Sequence, residues 1–161
     1  IGGYLDRLDK EYSIIKKVKP IFAKEGGRIL KYEIIDNFFS FWFRFIYKNR
    51  SAVEIENYEY VKQIVKSEYS TYSGKFLEKY FIEKLKDSHQ FSQIGTYWEK
   101  GNKNEIDIVA VNDINKTILI VEVKLNPKKI SLEKLKDKSV KLVQKFPNYL
   151  IEFKGFSINQ L

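Results

Sequence analysis

The chain has 161 residues and carries 29 basic against 21 acidic side chains, a formal net charge of +8 and a pI near 9.4. It contains no cysteine and one histidine, His89, which excludes disulfides, thiol nucleophiles, thiolate zinc sites and multi-histidine metal sites. No apolar run approaches the ~20 residues of a membrane span, so a cytoplasmic protein is expected. Methionine is also absent, which predicts a fragment of a longer protein.

The first 36 residues are predicted to form a short helix near 4–12 followed by a hairpin. Strand-like runs at 14–22 and 29–35 are joined by residues 23–28, where Gly26 and Gly27 supply the positive φ of a tight turn. A helix followed by a hairpin is also the last part of a winged-helix module. Three elements alone do not establish that module.

Residues 37–73 are predicted to form an aromatic-rich helical connector. The run Phe-Phe-Ser-Phe-Trp-Phe-Arg-Phe-Ile-Tyr occupies 38–47 and is apolar on nearly all sides, so it is expected to be buried within the chain or against a neighbour. A helical stretch over 51–70 follows. The small and polar residues of 71–74 are expected to break it and to mark a domain boundary.

Residues 74–161 predict an α/β domain. A helix at 74–86 precedes strands at 91–98, 105–111 and 117–125, and a helix at 131–145 precedes a last strand at 148–154. The run 118–121 is apolar on both faces, which is typical of an interior strand covered by helices. A helix, three strands, a helix and a strand together predict an α/β sandwich.

One carboxylate lies on the apolar face of the first of these helices. At 100° per residue, Glu78 falls within the arc formed by Leu77, Phe81, Ile82 and Leu85. Removing a carboxylate from water costs several kcal/mol unless a cation or hydrogen-bond donors meet it. Glu78 is therefore a candidate site residue, and a frayed helix or a structural salt bridge is the alternative.

Two strands carry charges on one side. Glu105 and Asp107 share a side of one strand, and Glu122 and Lys124 share a side of the next, because strand side chains alternate. A solvated face of an antiparallel sheet would give the same pattern. Carboxylates are the ligands that Mg²⁺ prefers, and a lysine beside them can orient water and stabilise a transferring phosphate, so this set suits phosphodiester cleavage with Mg²⁺ or Mn²⁺.

The C-terminal quarter is the most basic part of the chain. Residues 124–161 hold 9 basic and 3 acidic side chains, which suits a polyanionic partner such as DNA. Lysines spaced at i, i+4, i+7 and i+11 form a stripe on the second helix, suited to tracking phosphates, although a solvated helix face is at least as good an account. The stripe consists of Lys134, Lys138, Lys141 and Lys145.

Residues 74–161 resemble the PD-(D/E)XK nuclease core. Glu78 matches the acid on the first helix of that core, Asp107 matches its metal-binding acid, and Glu122 with Lys124 matches the (D/E)-x-K pair. No proline precedes Asp107, a departure common among diverged members. The resemblance implies that Asp107, Glu122 and Glu78 bind metal and that these three with Lys124 are catalytic.

The whole chain also resembles the C-terminal region of archaeal-type P-loop ATPases. That family has an N-terminal ATPase followed by a winged-helix segment and a nuclease-like domain of uncharacterised function. ATP would then bind only in the absent N-terminal half. The matching segments are IDNFF at 35–39, FWFRFIYKNRS at 41–51, IGTYW at 94–98, EIDIVA at 105–110 and VEVK at 121–124.

Two functions are expected from these observations. The first is a metal-dependent DNA endonuclease-like domain, and the second is a catalytically silent domain that binds DNA, regulates the ATPase or docks partners. Expected partners are DNA and the missing ATPase domain, with no membrane. A domain that only forms homo-oligomers is a third reading.

Overall fold

The computed structural model describes residues 2–24, 26–27 and 29–161, and the chain divides into two compact units. The N-terminal unit comprises Ile1–Lys19 and Leu30–Ser70. The C-terminal unit comprises Pro20–Ile29 and Thr71–Leu161. No helix in the described residues combines the length and the apolar character needed to cross a bilayer.

The N-terminal unit begins with helix α1 (Gly2–Lys10) and a two-stranded antiparallel sheet, β1 (Ile15–Val18) with β2 (Lys31–Ile34). The expected helix and antiparallel strand pair are present, but both strands are shorter than the predicted runs, and residues 19–30 connect them in place of the predicted tight turn. Gly26 has the predicted positive φ, at 72°, whereas Gly27 does not. Beyond β1, Ile21 instead donates its N–H to the carbonyl of Thr96. In the predicted hairpin turn, residues 25 and 28 lie outside the described residues.

The aromatic segment forms a succession of short helical turns. Helix α2 (Asn37–Phe41) starts at Asp36, whose carboxylate accepts the N–H of Phe39. A π-helical turn (Trp42–Ile46), a 3₁₀ turn (Tyr47–Asn49) and helix α3 (Arg50–Glu54) follow. Burial of this segment was only partly predicted, because Phe45 is fully buried whereas several other rings are exposed.

Helix α4 (Tyr58–Asp87) is a single helix of 30 residues. The predicted break at 71–74 is therefore wrong. Gly74 costs an exposed helix only about 1 kcal/mol, and apolar contacts of neighbouring residues such as Tyr72 and Leu77, both buried, outweigh that cost. The division between the two units nevertheless falls between Ser70 and Thr71, inside this helix.

The C-terminal unit is a mixed four-stranded sheet with order β3-β4-β5-β6. The strands are β3 (Gln93–Glu99), β4 (Lys103–Asn112), β5 (Thr117–Lys124) and β6 (Leu150–Ser157), with helix α5 (Leu132–Val143) between the last two. Neighbouring strands are antiparallel except β5 and β6, which are parallel. The predicted order of helix, three strands, helix and strand is confirmed as a mixed α/β fold.

Both faces of this sheet are covered. On one face, Leu77 and Phe81 of α4 pack with Ile108, Val121 and their neighbours. On the other face, residues of α5 pack with alternating residues of the same strands. Strand β5 is buried along its centre, as its apolar run predicted, and this second cluster includes Leu135, Leu142, Val109, Ile118 and Ile120.

The turn between β4 and β5 is fixed by a small polar network. The Asp113 carboxylate accepts hydrogen bonds from the hydroxyls of Ser92 at 2.6 Å and Tyr149 at 2.8 Å. These hydrogen bonds, first from Ser92 and then from Tyr149, hold the pKa of Asp113 below its ordinary value of 3.8. The network joins segments that lie far apart in the sequence.

Candidate functional site

The candidate site lies where strands β4 and β5 stop pairing. Their ladder ends at the pair Ile108↔Val121, whereas β5 continues beside β6 as far as Lys124↔Ser157. The last residues of β5 therefore have a strand neighbour on one side only. A backbone N–H on the open side must find another acceptor, because an unpaired buried donor is costly.

Asp107 provides that acceptor. Its Oδ2 accepts the N–H of Val123 at 2.7 Å, so a side chain replaces the hydrogen bond that the ladder no longer supplies. The N–H of Val123 thus holds the Asp107 carboxylate against the end of β5.

A register shift in β4 places Asp107 at this point. Gly95 pairs with Val109 and Tyr97 pairs with Ile106, so β4 uses one residue more than β3 over this stretch. Ile106 and Val109, three residues apart, consequently pack in the same core cluster. Bulges of this kind redirect side chains and are common beside functional sites.

Glu122 is a buried carboxylate with three partners. Its side chain is 8% exposed. Its Oε2 accepts the backbone N–H of Ser131 at 2.9 Å, and its Oε1 lies 3.5 Å from Lys124 Nζ and 3.8 Å from Lys138 Nζ. Ser131 is the N-cap of α5, so this helix supplies both a backbone donor and a lysine. These donors compensate the burial of the charge.

Lys124 joins the two acids. Its Nζ lies 3.3 Å from Asp107 Oδ2 and 3.5 Å from Glu122 Oε1. Burial alone would lower the pKa of Lys124, but the Asp107 and Glu122 carboxylates outweigh that effect and raise it above its ordinary value. Lys124 is therefore a charged hydrogen-bond donor at neutral pH rather than a base.

Glu78 approaches the same region from α4. Burial, followed by the negative charge of Asp107, raises the pKa of Glu78 to about 7, and the opposing effect of Lys124 is smaller. The Glu105 carboxylate raises the pKa further. Near neutral pH, Glu78 is therefore divided between its protonated and ionised forms, which suits a group that exchanges protons.

The predicted set of site residues is thus brought to one region, but not as a three-carboxylate cage. Across residues 2–24, 26–27 and 29–161, no group of three or more histidine, cysteine, aspartate or glutamate side chains is arranged to hold a metal ion. Asp107 and Glu122 are the two acids of the set that both contact Lys124. Their hard oxygen donors fit Mg²⁺ or Mn²⁺, since Mg²⁺ commonly takes one or two carboxylates and fills its other positions with water and phosphate oxygens.

The sequence of the chain matches that of a known protein family. A family model described as archaea bacterial proteins of unknown function, DUF234, matches residues 42–142. The chain belongs to DUF234. An uncharacterized protein of Methanocaldococcus jannaschii is 34% identical over 140 residues, covering 83% of this chain and 29% of that protein, so the chain spans under a third of its relative. No solved structure matches the chain.

The DUF234 match includes all four candidate site residues and ends within the lysine stripe. Helix α5 ends at Val143, before the predicted end at 145, so Lys145 lies beyond the helix that carries the other three lysines. The stripe does not present four unengaged cations. Lys141 pairs with Glu99 at 2.7 Å, Lys145 lies 5.9 Å from the centre of the Tyr97 ring, and Lys138 faces Glu122. Lys134 is exposed. DNA binding by these lysines stays a prediction.

Two contributors to this candidate site are not predicted from the sequence. Lys138 was placed in the stripe, although it lies beside Glu122, and the backbone N–H of Ser131 was not considered. The short connection from β5 to α5 could have indicated their proximity to Glu122. No sequence pattern reveals the register shift that places Asp107.

Proposed function

We propose that residues 74–161 form a divalent-metal-dependent DNA endonuclease-like domain of the PD-(D/E)XK type. One observation carries the proposal: the Lys124 ammonium lies between Asp107 and Glu122 at the end of two separating strands. Glu78 is close enough for the Asp107 charge to raise its pKa. Two acids, a charged lysine and a proton-exchanging group suit metal-assisted phosphodiester hydrolysis.

Asp107 and Glu122 are the residues that would hold Mg²⁺ or Mn²⁺. When bound, the cation would neutralise phosphate charge and lower the pKa of a water molecule. Two protein carboxylates suffice for this, because substrate phosphate oxygens and water complete the coordination of Mg²⁺. Glu78 would assist either as a further ligand or as a base.

The other two side chains would handle the proton and the developing charge. Hydrolysis forms a bond between the water oxygen and phosphorus and breaks the bond from phosphorus to the leaving sugar oxygen, which takes up a proton. Glu78, with a pKa of about 7, can accept a proton from water and release one near neutral pH. Lys124 would orient the water and stabilise charge on the phosphate oxygens.

Nicking of supercoiled plasmid DNA in the presence of Mg²⁺ or Mn²⁺ tests this proposal. We expect Asp107→Asn, Glu122→Gln and Lys124→Met each to lower the rate by about 100-fold or more, the usual effect of losing an electrostatic group from a catalytic site. Glu133→Gln, which alters an exposed acid of α5, is the control and should retain full activity. Circular dichroism checks that each variant is folded. A nicking rate that is the same in all four variants would contradict the proposal.

A second candidate is a catalytically silent domain that binds DNA or regulates an ATPase. The observation that favours it is that Lys124, Lys138 and the N–H of Ser131 already compensate Glu122, so the site is charge-balanced without a metal ion. Salt-dependent DNA binding that survives Asp107→Asn but weakens in Lys134→Glu would support it. In this second proposal, ATP would bind only in an N-terminal ATPase half that the domain regulates. A domain that only forms homo-oligomers stays a separate prediction.

A further inference from the structure

A row of exposed aromatic rings lies on the N-terminal unit. Its residues precede those of the candidate site in the sequence. Phe39, Phe43 and Tyr47 are 40%, 41% and 46% exposed. Their ring centres follow one another at 6.3 Å and 5.7 Å, and Trp42 contacts both Phe43 and Tyr47. We call Phe39, Trp42, Phe43 and Tyr47 the aromatic row. Contiguous exposed apolar surface of this kind commonly marks a binding site.

Exposed cations accompany the aromatic row, and two acids that contact this segment, Asp36 and Glu68, are engaged with the N–H of Phe39 and with Arg44. Residues 37–53 contain three basic side chains and no acid. Arg44 is engaged with Glu68 at 3.0 Å. Lys48 and Arg50 are exposed, and neither forms an ion pair with a carboxylate in the part of the chain that the structure describes. The Arg50 guanidinium instead lies 5.3 Å from the centre of the Tyr47 ring.

The backbone under the aromatic row is unusual. The π-helical turn Trp42–Ile46 lies between α2 and the 3₁₀ turn. Such turns are rare in proteins overall, and those that occur are often at functional sites. Within this turn Phe45 is fully buried while Phe43 is exposed. The buried ring anchors the segment, so the exposed rings are presented from a fixed backbone rather than from a loose loop.

We propose that the aromatic row binds a single strand of nucleic acid. Unpaired bases would stack on Phe43 and Tyr47, and backbone phosphates would contact Lys48 and Arg50. Every base has a π-face, so such binding tolerates any sequence. The exposed cations Lys48 and Arg50 beside the row favour a polyanionic partner. This function goes beyond the nuclease proposal and does not depend on it.

Fluorescence anisotropy of a labelled oligothymidylate of about 12 nucleotides, within the usual site size for single strands, tests the proposal. The full chain is titrated in EDTA, so that no cleavage is needed for a signal. We expect Phe43→Ala and Tyr47→Ala each to weaken binding about 5- to 100-fold, the effect of losing one stacked base. Tyr60→Ala, a change to an exposed ring of α4, is the matched control and should bind as the wild type does.

A second measurement identifies the binding surface. The chain has two tryptophans, and Trp98 is buried, so Trp98→Phe leaves Trp42 as the only tryptophan and as a reporter of the aromatic row. We expect the oligonucleotide to quench its emission, and Arg50→Ala to reduce the dependence of binding on salt. Equal losses in Phe43→Ala and Tyr60→Ala would overturn the proposal. Quenching of Trp42 emission by duplex DNA or anionic lipid vesicles at lower concentrations than by the single strand would also overturn it.

Discussion

Removing the ammonium of Lys124 should destabilise the C-terminal unit, and the structure sets the size of the effect. Lys124→Met keeps the shape of the side chain but leaves two partly buried carboxylates without their shared cation. At an effective dielectric constant of about 20, unit charges about 4 Å apart interact by about 4 kcal/mol. Three effects reduce this interaction energy. Burying the ammonium costs free energy, Lys124 is 35% exposed and so is screened by water, and Lys138 remains beside Glu122 in the variant. We therefore expect the free energy of unfolding to fall by about 2–3 kcal/mol, less than the ~3–5 kcal/mol lost when a fully buried ion pair is broken.

Urea denaturation of the full chain at pH 7 and low salt measures this loss. Lys154→Met is the matched control, since Lys154 lies 3.0 Å from Glu152 but both side chains are about half exposed, and it should change the free energy of unfolding by no more than about 0.5 kcal/mol. Asp107→Asn completes a double-mutant cycle with Lys124→Met. We expect the double variant to be about 1 kcal/mol more stable than the sum of the single effects predicts. The reasoning is refuted if Lys124→Met costs no more than Lys154→Met and the two changes are additive.

Three further predictions concern stability. The pKa of Asp113 is lowered in the folded state, so the ionised carboxylate contributes stability above pH 3.8 that is lost as the pH falls. The melting temperature of the wild type should therefore drop more between pH 5 and pH 3 than that of Asp113→Asn. Gly155→Ala should cost about 1–3 kcal/mol in urea unfolding because its Cβ would collide with Ile130, whereas Gly74→Ala, which meets open space within α4, should stabilise by about 0.5–1 kcal/mol. Phe45→Ala should cost about 3–5 kcal/mol by calorimetry, and alanine at a partly exposed ring of the same segment, such as Phe43, should cost less.

The order of elements in the C-terminal unit could be predicted from the sequence because the apolar residues of each element recur with the spacing of a helix or of a strand. The run 118–121 is apolar on both faces, and β5 lies between two strands with its centre buried. The predicted break at 71–74 is wrong because local propensity amounts to about 1 kcal/mol and packing along α4 exceeds it.

The residues of the candidate site could be selected from the sequence, but their contacts could not. Alternation along a strand puts Glu122 and Lys124 on one side, and helical spacing puts Glu78 on an apolar face. The contact between Asp107 and the backbone of Val123 depends on where the ladder stops, and that position is set by the whole sheet. In the same way, the pairing of Lys141 with Glu99 joins residues 42 positions apart, which no local pattern encodes.

The hydrogen bond from the Val123 amide gives Asp107 a structural role that is independent of any reaction. A relative without the proposed nuclease activity would still need an acceptor there, because otherwise the end of β5 would carry an unsatisfied amide. Purifying selection would then retain Asp107 whether or not a relative had that activity. Retention of that one acid across relatives would consequently say little about activity, whereas variation at Lys124 and Glu78 would be far more informative.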